Sequence, residues 1–285
     1  MSGFVAPFVD LQHLRQWIGR ESVQTDLVSE DLARKYHARF NHQGMAPRQG
    51  EIVPRLGHFC LAQPVAPTAG LGADGHPPLG RFLPPVPLPR RMWAGGAINF
   101  HGDLRVGDTV RRTSRIQDIM LKDGSSGCLC FVTVTHQIEA NGVVVVEDRQ
   151  DIVYRGPAAP NGVAKTPLPA ERGVHWRKMK AESPLLFRYS ALTFNTHRIH
   201  YDRRYAMEAE GYPGLVIHGP MQAALLCDYA AEVRGAPPRR FSFRSLSPLY
   251  DHDTFTLNAR ESGSALTLWT AREGGPISMK AEASW

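Results

Sequence analysis

The chain has 285 residues, 42% of them hydrophobic and 21% charged, which is the composition of a folded globular protein rather than of a disordered one. Its net charge of +6 suggests an anionic partner, but no run of five basic residues occurs, so nucleic-acid binding is not predicted. No signal peptide and no apolar run of membrane-spanning length occurs, and the four cysteines fit no zinc or redox spacing. These features predict a cytoplasmic protein that does not contact a membrane.

The first third of the chain combines one predicted helix with a long irregular segment. Residues 26–41 have the pattern of a helix, and Ser29 is a suitable N-cap for it. Residues 42–92 are rich in glycine and proline and lack periodicity. Their proline-rich part, residues 74–89, is predicted to be a surface loop, with a rigid lid or an arm packed on a neighbouring molecule as the alternative.

Strand patterns dominate residues 92–155. Hydrophobic and polar residues alternate over 127–138, and Asn141-Gly142 is typical of a tight hairpin turn. Residues 143–154 supply the returning strand, whereas residues 156–185 have a weak pattern and are predicted to be a linker.

The second half follows the same plan. Strands are predicted over 241–245, 254–260, 266–271 and 277–285, and a helix over 221–234 with apolar residues on one side and Gly235 after its end. A short echo, Leu104-x-x-x-Asp108-Thr109 and Leu249-x-x-x-Asp253-Thr254, supports an internal duplication. We therefore expect an α+β protein with an N-terminal unit over 1–160, including the insert 42–92, and a C-terminal unit over 161–285.

Polar residues with chemical potential concentrate in residues 187–220, which hold His197, His200, His218 and Asn195. His197 and His200 have a spacing that suits metal ligands on a helix, but Asp202 is better explained as a helix N-cap, and no metal is predicted. Neither the serine hydrolase elbow nor a glycine-rich phosphate loop occurs.

Two motifs in this segment resemble the hydratase motif of MaoC-like (R)-specific enoyl-CoA hydratases. They are Asn195-x-x-x-x-His200-x-Asp202-x-x-x-Ala206 and Val216-Ile217-His218-Gly219-Pro220-Met221. Together with residues 82–93, they look like the branch that contains type 2 hydroxyacyl-thioester dehydratases and the mesaconyl-C4-CoA and itaconyl-CoA hydratases. The resemblance implies a double hot-dog fold, in which two antiparallel sheets each wrap a central helix.

The resemblance also implies roles for individual residues. His200 falls at the catalytic histidine, and Gly219 falls where a backbone N–H at a helix end polarises the thioester carbonyl. Asn195 falls at the catalytic aspartate, and this departure matters because an amide orients water but cannot carry its proton at neutral pH. We expect His200 to perform the acid–base chemistry and Asn195 to position the water, with His197, Tyr189 or an acid elsewhere in the fold as alternative second groups.

The implied reaction is the reversible hydration of a short, branched or dicarboxylic enoyl-CoA of the itaconyl or mesaconyl type, giving citramalyl- or hydroxyacyl-CoA. Substrate contacts are expected from His197, Tyr189 and His218, and from Arg198 or Arg188 as anchors for a free carboxylate. The N-terminal unit is expected to be non-catalytic and to shape the acyl tunnel. No cofactor is expected beyond the coenzyme A of the substrate, and a homodimer is possible. The alternatives are a hot-dog thioesterase and a degenerate subunit that binds acyl-CoA or an acyl carrier.

Overall fold

The computed structural model of the chain describes residues 8–124, 127–156 and 168–285. Within these ranges the helices are α1 (Leu11–Arg15), α2 (Glu30–Arg39), α3 (Ser183–Leu192), α4 (Arg203–Glu208) and α5 (Gly219–Arg234). The strands are β1 (Glu21–Leu27), β2 (Arg90–Phe100), β3 (Thr109–Gly124), β4 (Gly127–Ala140), β5 (Val143–Arg155), β6 (His175–Lys180), β7 (Arg240–Ser245), β8 (Thr254–Ser262), β9 (Ala265–Arg272) and β10 (Ile277–Ser284). Among the helices of the described ranges, none has both the length and the apolarity to cross a membrane.

The strands form one antiparallel sheet in the order β1-β3-β4-β5-β2-β7-β10-β9-β8-β6. Read from each outer edge inward, the two halves repeat one order: the first, third, fourth, fifth and second strand of that half. The halves meet where residues 95–99 of β2 pair with residues 240–244 of β7. The α+β class predicted from the sequence is confirmed.

The sequence echo marks equivalent turns of the two halves. The Asp108 carboxylate accepts a hydrogen bond from the Arg105 backbone N–H at 2.7 Å, and the Asp253 carboxylate accepts one from the Tyr250 N–H at 2.9 Å. Each aspartate thus closes the turn that leads into the third strand of its half.

The halves differ in their central helix. Isolated bridges pair Ile52 with Arg105 and Val216 with Tyr250, which aligns residues 53–54 with residues 217–218. After this point the second half continues into the 16-residue α5, whereas the first half forms two short 3-10 helices, Gly57–Cys60 and Thr68–Gly70. The expectation of a central helix in each half is therefore wrong for the first half.

Helix α5 forms the centre of the core. Every residue from Met221 to Cys227 is buried, so the expectation of a single apolar side is wrong for the first two turns. The only polar side chain in that run, Gln222, accepts a hydrogen bond from the Thr270 hydroxyl at 2.7 Å, which satisfies its buried carbonyl. Gly235 ends the helix in the left-handed conformation, as predicted.

Local sequence patterns predicted some helix and strand boundaries correctly and others incorrectly. The Ser29 hydroxyl caps α2 by accepting from the Leu32 N–H at 3.1 Å, but the helix begins at Glu30, because residues 21–27 form β1. Residues 157–167 of the predicted linker lie outside the described ranges. The remainder contains β6, whose almost fully exposed side chains give no alternation by which a strand could be recognised.

The proline-rich segment is packed on the protein. Val86 and Leu88 are buried in a cluster that includes Ile116, Val132 and Tyr154 of the first half. The expectation of a plain surface loop is therefore wrong for this part of the segment. Residues 72–76, where this segment begins, contact residues 196–198 of the second half.

Candidate active site

Asn195 shapes the loop that follows α3. The chain turns at Phe194, which has a left-handed φ of 49°, and the Asn195 N–H donates to the Ser190 carbonyl at 2.9 Å. The Asn195 side-chain oxygen then accepts from the His197 N–H at 2.9 Å. The side-chain NH2 of Asn195 therefore offers the site a hydrogen-bond donor, whereas its amide is not basic enough to take a proton near neutral pH.

His200 has the geometry of a general base. It ends the short 3-10 helix Arg198–His200, and its Nδ1 donates to the Val216 carbonyl at 2.7 Å. This bond places the proton on Nδ1 and leaves Nε2 as an acceptor. Burial lowers the pKa of His200 to about 4, so the imidazole is neutral and able to accept a proton near neutral pH.

His218 packs against one face of the His200 ring. The two rings stack with centroids 3.6 Å apart, and Nε2 of the fully buried His218 lies 2.8 Å from the Ser190 hydroxyl. The buried Tyr189 ring lies 5.1 Å from His218. Burial holds the pKa of His218 well below its usual value. His218 and Tyr189 are therefore buried packing partners next to the His200 imidazole.

Gly219 begins α5, with His218 as the N-cap residue. Its N–H belongs to the first turn of the helix, whose amides have no acceptor within the helix and carry the positive end of its dipole. A Cβ at position 219 would lie 3.1 Å from the Trp93 ring of β2, so a larger residue would crowd this approach. The position suits an oxygen that becomes negative during the reaction.

The residues missed by the sequence analysis come from the first half. His76 Nδ1 lies 2.8 Å from the Asp74 carboxylate, and the His76 ring lies 4.2 Å from the ring of His197. His197 in turn meets His200 edge to face at 5.4 Å. A continuous row of side chains thus leads from Asp74 to His200. The available signal was an aspartate and a histidine two residues apart within a segment that lacks periodicity.

Residues 72–76 are held on the loop of residues 194–200 by hydrogen bonds to their backbone carbonyls. The Arg198 N–H donates to the Asp74 carbonyl at 2.9 Å, and the Thr196 hydroxyl donates to the Gly75 carbonyl. Gly75 has a φ of +88°, and a Cβ there would lie 1.9 Å from the Thr196 carbonyl oxygen. Only glycine allows this approach.

Burial sets the charge states in this row. It lowers the pKa of His197 and of His76, although the bond to Asp74 opposes the effect at His76. Burial would raise the pKa of Asp74, but the hydrogen bonds and charge of His76 outweigh it and keep the carboxyl ionised. The donor atoms of Asp74, His76 and His197 lie within 4.8 Å of one another and are therefore the group in the described ranges that could hold an ion. The direct bond between Asp74 and His76 already accounts for their proximity.

The two arginines predicted as carboxylate anchors have other positions. The Arg198 guanidinium pairs with the Asp202 carboxylate at 2.7 Å and donates to the Ala73 carbonyl at 3.0 Å. Asp202 also caps α4 through the Tyr205 N–H at 3.0 Å, as predicted. Arg188 is exposed on α3. Arg198 thus stabilises the loop, and Arg188 faces solvent.

The chain matches known proteins over nearly its whole length. Residues 56–251 match the family model of hydroxyacyl-thioester dehydratase type 2. The chain is 45% identical over 269 residues to mesaconyl-C(4)-CoA hydratase of Chloroflexus aurantiacus, an alignment that covers 93% of this chain and 95% of that one.

Solved structures agree in fold. A MaoC-like dehydratase from Phytophthora capsici superposes with a TM-score of 0.70 at 15% identity, covering 97% of this chain and 99% of the other. A Mycobacterium tuberculosis protein described as a double hot dog superposes with a TM-score of 0.59 at 11% identity, covering 93% and 95%. The predicted double hot-dog fold is confirmed, and with the family match it establishes that the chain belongs to the hydroxyacyl-thioester dehydratase type 2 family of hydratases and dehydratases.

Proposed function

We propose that this enzyme catalyses the reversible hydration of a short dicarboxylic enoyl-CoA of the mesaconyl-C4 type. The observation that carries the proposal is the placement of His200, whose ring stacks on His218 at the N-cap of α5, in a chain 45% identical to mesaconyl-C(4)-CoA hydratase. Coenzyme A enters as part of the substrate, and no other cofactor is required by the steps below.

In the hydration direction, His200 accepts a proton from water while the water oxygen bonds to the β-carbon of the enoyl group. The electron pair of the double bond moves toward the thioester oxygen, where the Gly219 N–H and the positive end of α5 stabilise the enolate. His200 then gives its proton to the α-carbon, so one water is added and the enzyme returns to its starting state. Asn195 positions the water through its side-chain N–H.

The test is an absorbance assay of the enoyl thioester with mesaconyl-C4-CoA, itaconyl-CoA and crotonyl-CoA, run beside a parallel reaction with a thiol reagent. We expect loss of the enoyl signal without free thiol, fastest with mesaconyl-C4-CoA. Release of thiol would replace the hydratase with a thioesterase. No reaction with any of the three would favour a subunit that only binds acyl thioesters.

A further inference from the structure

A small cavity opens next to the loop of residues 194–200, and residues of the first half form its walls. Its volume is about 160 Å³, and its walls include Asp74, His76, Arg91 and Tyr154 together with Leu88 and three prolines. Pockets that hold a whole small ligand usually measure about 300–1,000 Å³. This cavity therefore has the size of a subsite for one substituent of a larger molecule.

Arg91 supplies a positive charge to this cavity. It lies on β2 directly opposite Tyr154 of β5, and its charge acts on Asp74, His76 and His197. Across the described ranges of the chain, no carboxylate lies within 4.0 Å of its guanidinium. The preceding residue, Arg90, is by contrast paired with Glu210 at 3.0 Å.

Tyr154 adds a second group with spare hydrogen-bonding capacity. The residue is 1% exposed, and its hydroxyl, which interacts with the Arg91 guanidinium, has no acceptor for its own proton in the described part of the chain. Buried polar groups are nearly always paired, so a hydroxyl and a guanidinium that both lack an acceptor indicate that an acceptor is missing here. A carboxylate provides acceptor oxygens for both groups at once.

Asp74 is the negative group in the same wall. Its carboxylate already accepts from the His76 N–H at 2.9 Å and faces His76 Nδ1 at 2.8 Å, so its charge is directed at that ring. A second anion in the cavity would make protonation of His76 more favourable.

We propose that this cavity is the subsite for the free carboxylate of a short dicarboxylic acyl group, with Arg91 as the residue that binds it. The proposal rests on the proposed function for the position of the thioester at α5. It assigns the choice between dicarboxylic and monocarboxylic acyl groups to the first half of the chain.

Binding provides a test that does not depend on turnover. Succinyl-CoA and butyryl-CoA are saturated analogues in which a carboxylate replaces a methyl group, and their Kd values can be compared by calorimetry. We expect the wild type to bind succinyl-CoA at least about tenfold more tightly, as a buried charge-assisted bond would produce. In Arg91→Gln this preference should disappear, while the Kd for butyryl-CoA should stay within about threefold.

Turnover provides the second readout, with fumaryl-CoA and crotonyl-CoA as the matched pair. Arg91→Gln should lower kcat/KM for fumaryl-CoA by about 100-fold and leave that for crotonyl-CoA within about threefold. Arg111→Gln is the control, because Arg111 is an exposed arginine of β3 paired with Glu139. Arg111→Gln should leave kcat/KM unchanged for both fumaryl-CoA and crotonyl-CoA.

The outcomes separate the two proposals. Equal losses with both substrates, or no loss of the succinyl-CoA preference, would overturn the role of Arg91 even if the wild type is an active hydratase. A wild type that binds succinyl-CoA preferentially but hydrates no enoyl-CoA would retain the subsite and overturn the proposed reaction.

Discussion

The two halves of this enzyme share one strand order and differ in what fills the space before their second strands. The second half places the buried helix α5 there, preceded by His200 and His218. The first half has the 3-10 helix Gly57–Cys60 and then a long segment that packs Val86 and Leu88 on its own sheet. The same scaffold thus carries a helix end in one half and a cavity wall in the other.

This difference shows how one site can draw on two unequal halves. A helix N-terminus suits a developing oxyanion, and only the second half offers a long one at this place. The first half has no helix equivalent to α5, and its residues 72–76 instead lie against the loop of residues 194–200. We infer that chemistry resides in the second half and selection of the acyl group in the first.

The largest expected effect is the loss of activity on removing His200, the residue to which we assign the chemistry of the second half. His200→Ala should reduce kcat by at least about 100-fold, because general acid–base catalysis usually contributes about 10²–10⁴-fold. His101→Ala is the control in the first half, where an exposed histidine faces Glu147 at 2.9 Å. Steady-state hydration rates check both variants, and a loss below about tenfold for His200→Ala would contradict its role as the base.

Separating the two halves at their contact should have the next largest effect. Gly75→Ala places a Cβ against the Thr196 carbonyl and should lower kcat/KM by about tenfold, because small displacements in an active site are costly. Gly44→Ala is the matched control, since its φ of +81° is similar but no atom lies within 4 Å of the added Cβ. If both variants lose the same activity, backbone strain alone explains the effect and the contact is unimportant.

The pH dependence can sharpen the assignment to His200. Its pKa of about 4 means that the imidazole remains unprotonated, and able to accept a proton, down to mildly acidic pH. In the hydration direction, titration of His200 should leave kcat/KM unchanged from neutral pH to about pH 5. Below pH 4, kcat/KM should fall by about tenfold per pH unit. A profile of kcat/KM, taken where circular dichroism shows intact folding, checks this. A fall centred near pH 6.5 would show that the base is not a histidine whose pKa is lowered to about 4.

The smallest expected effect concerns His218, which packs against His200. Ser190→Ala removes the hydroxyl that pairs with His218 Nε2 and leaves a buried nitrogen unsatisfied. The free energy of unfolding should fall by about 1–3 kcal/mol, measured by urea denaturation. Ser245→Ala is the control, because its buried hydroxyl has no partner in the described residues and should cost about 0.5 kcal/mol or less. If both variants lose the same free energy of unfolding, the hydrogen bond between Ser190 and His218 does not stabilise the protein.

Features that depend on neighbouring residues were predictable from the sequence. The caps at Ser29 and Asp202, the Asn141-Gly142 turn and the end of α5 at Gly235 each follow from side-chain or backbone preferences within a few residues. The motif around His200 was recognisable because its residues are close in the chain. Their spacing was enough to recognise the family.

Features that depend on distant contacts were missed. Strand β6 is exposed along nearly its full length, so hydrophobic alternation could not reveal it. The approach of Asp74 and His76 to His197 joins segments about 120 residues apart and leaves no local pattern. The position of Arg91 in the cavity wall likewise follows only from the pairing of β2 with β5.

The pairing of β2 with β7 joins both halves in a single polypeptide. In an assembly of two identical chains, every substitution would appear twice, once in each subunit. Here a mutation that enlarges the cavity or removes a helix alters one half and leaves its counterpart untouched. Covalent union therefore frees each half to evolve separately while their stoichiometry stays fixed at one to one.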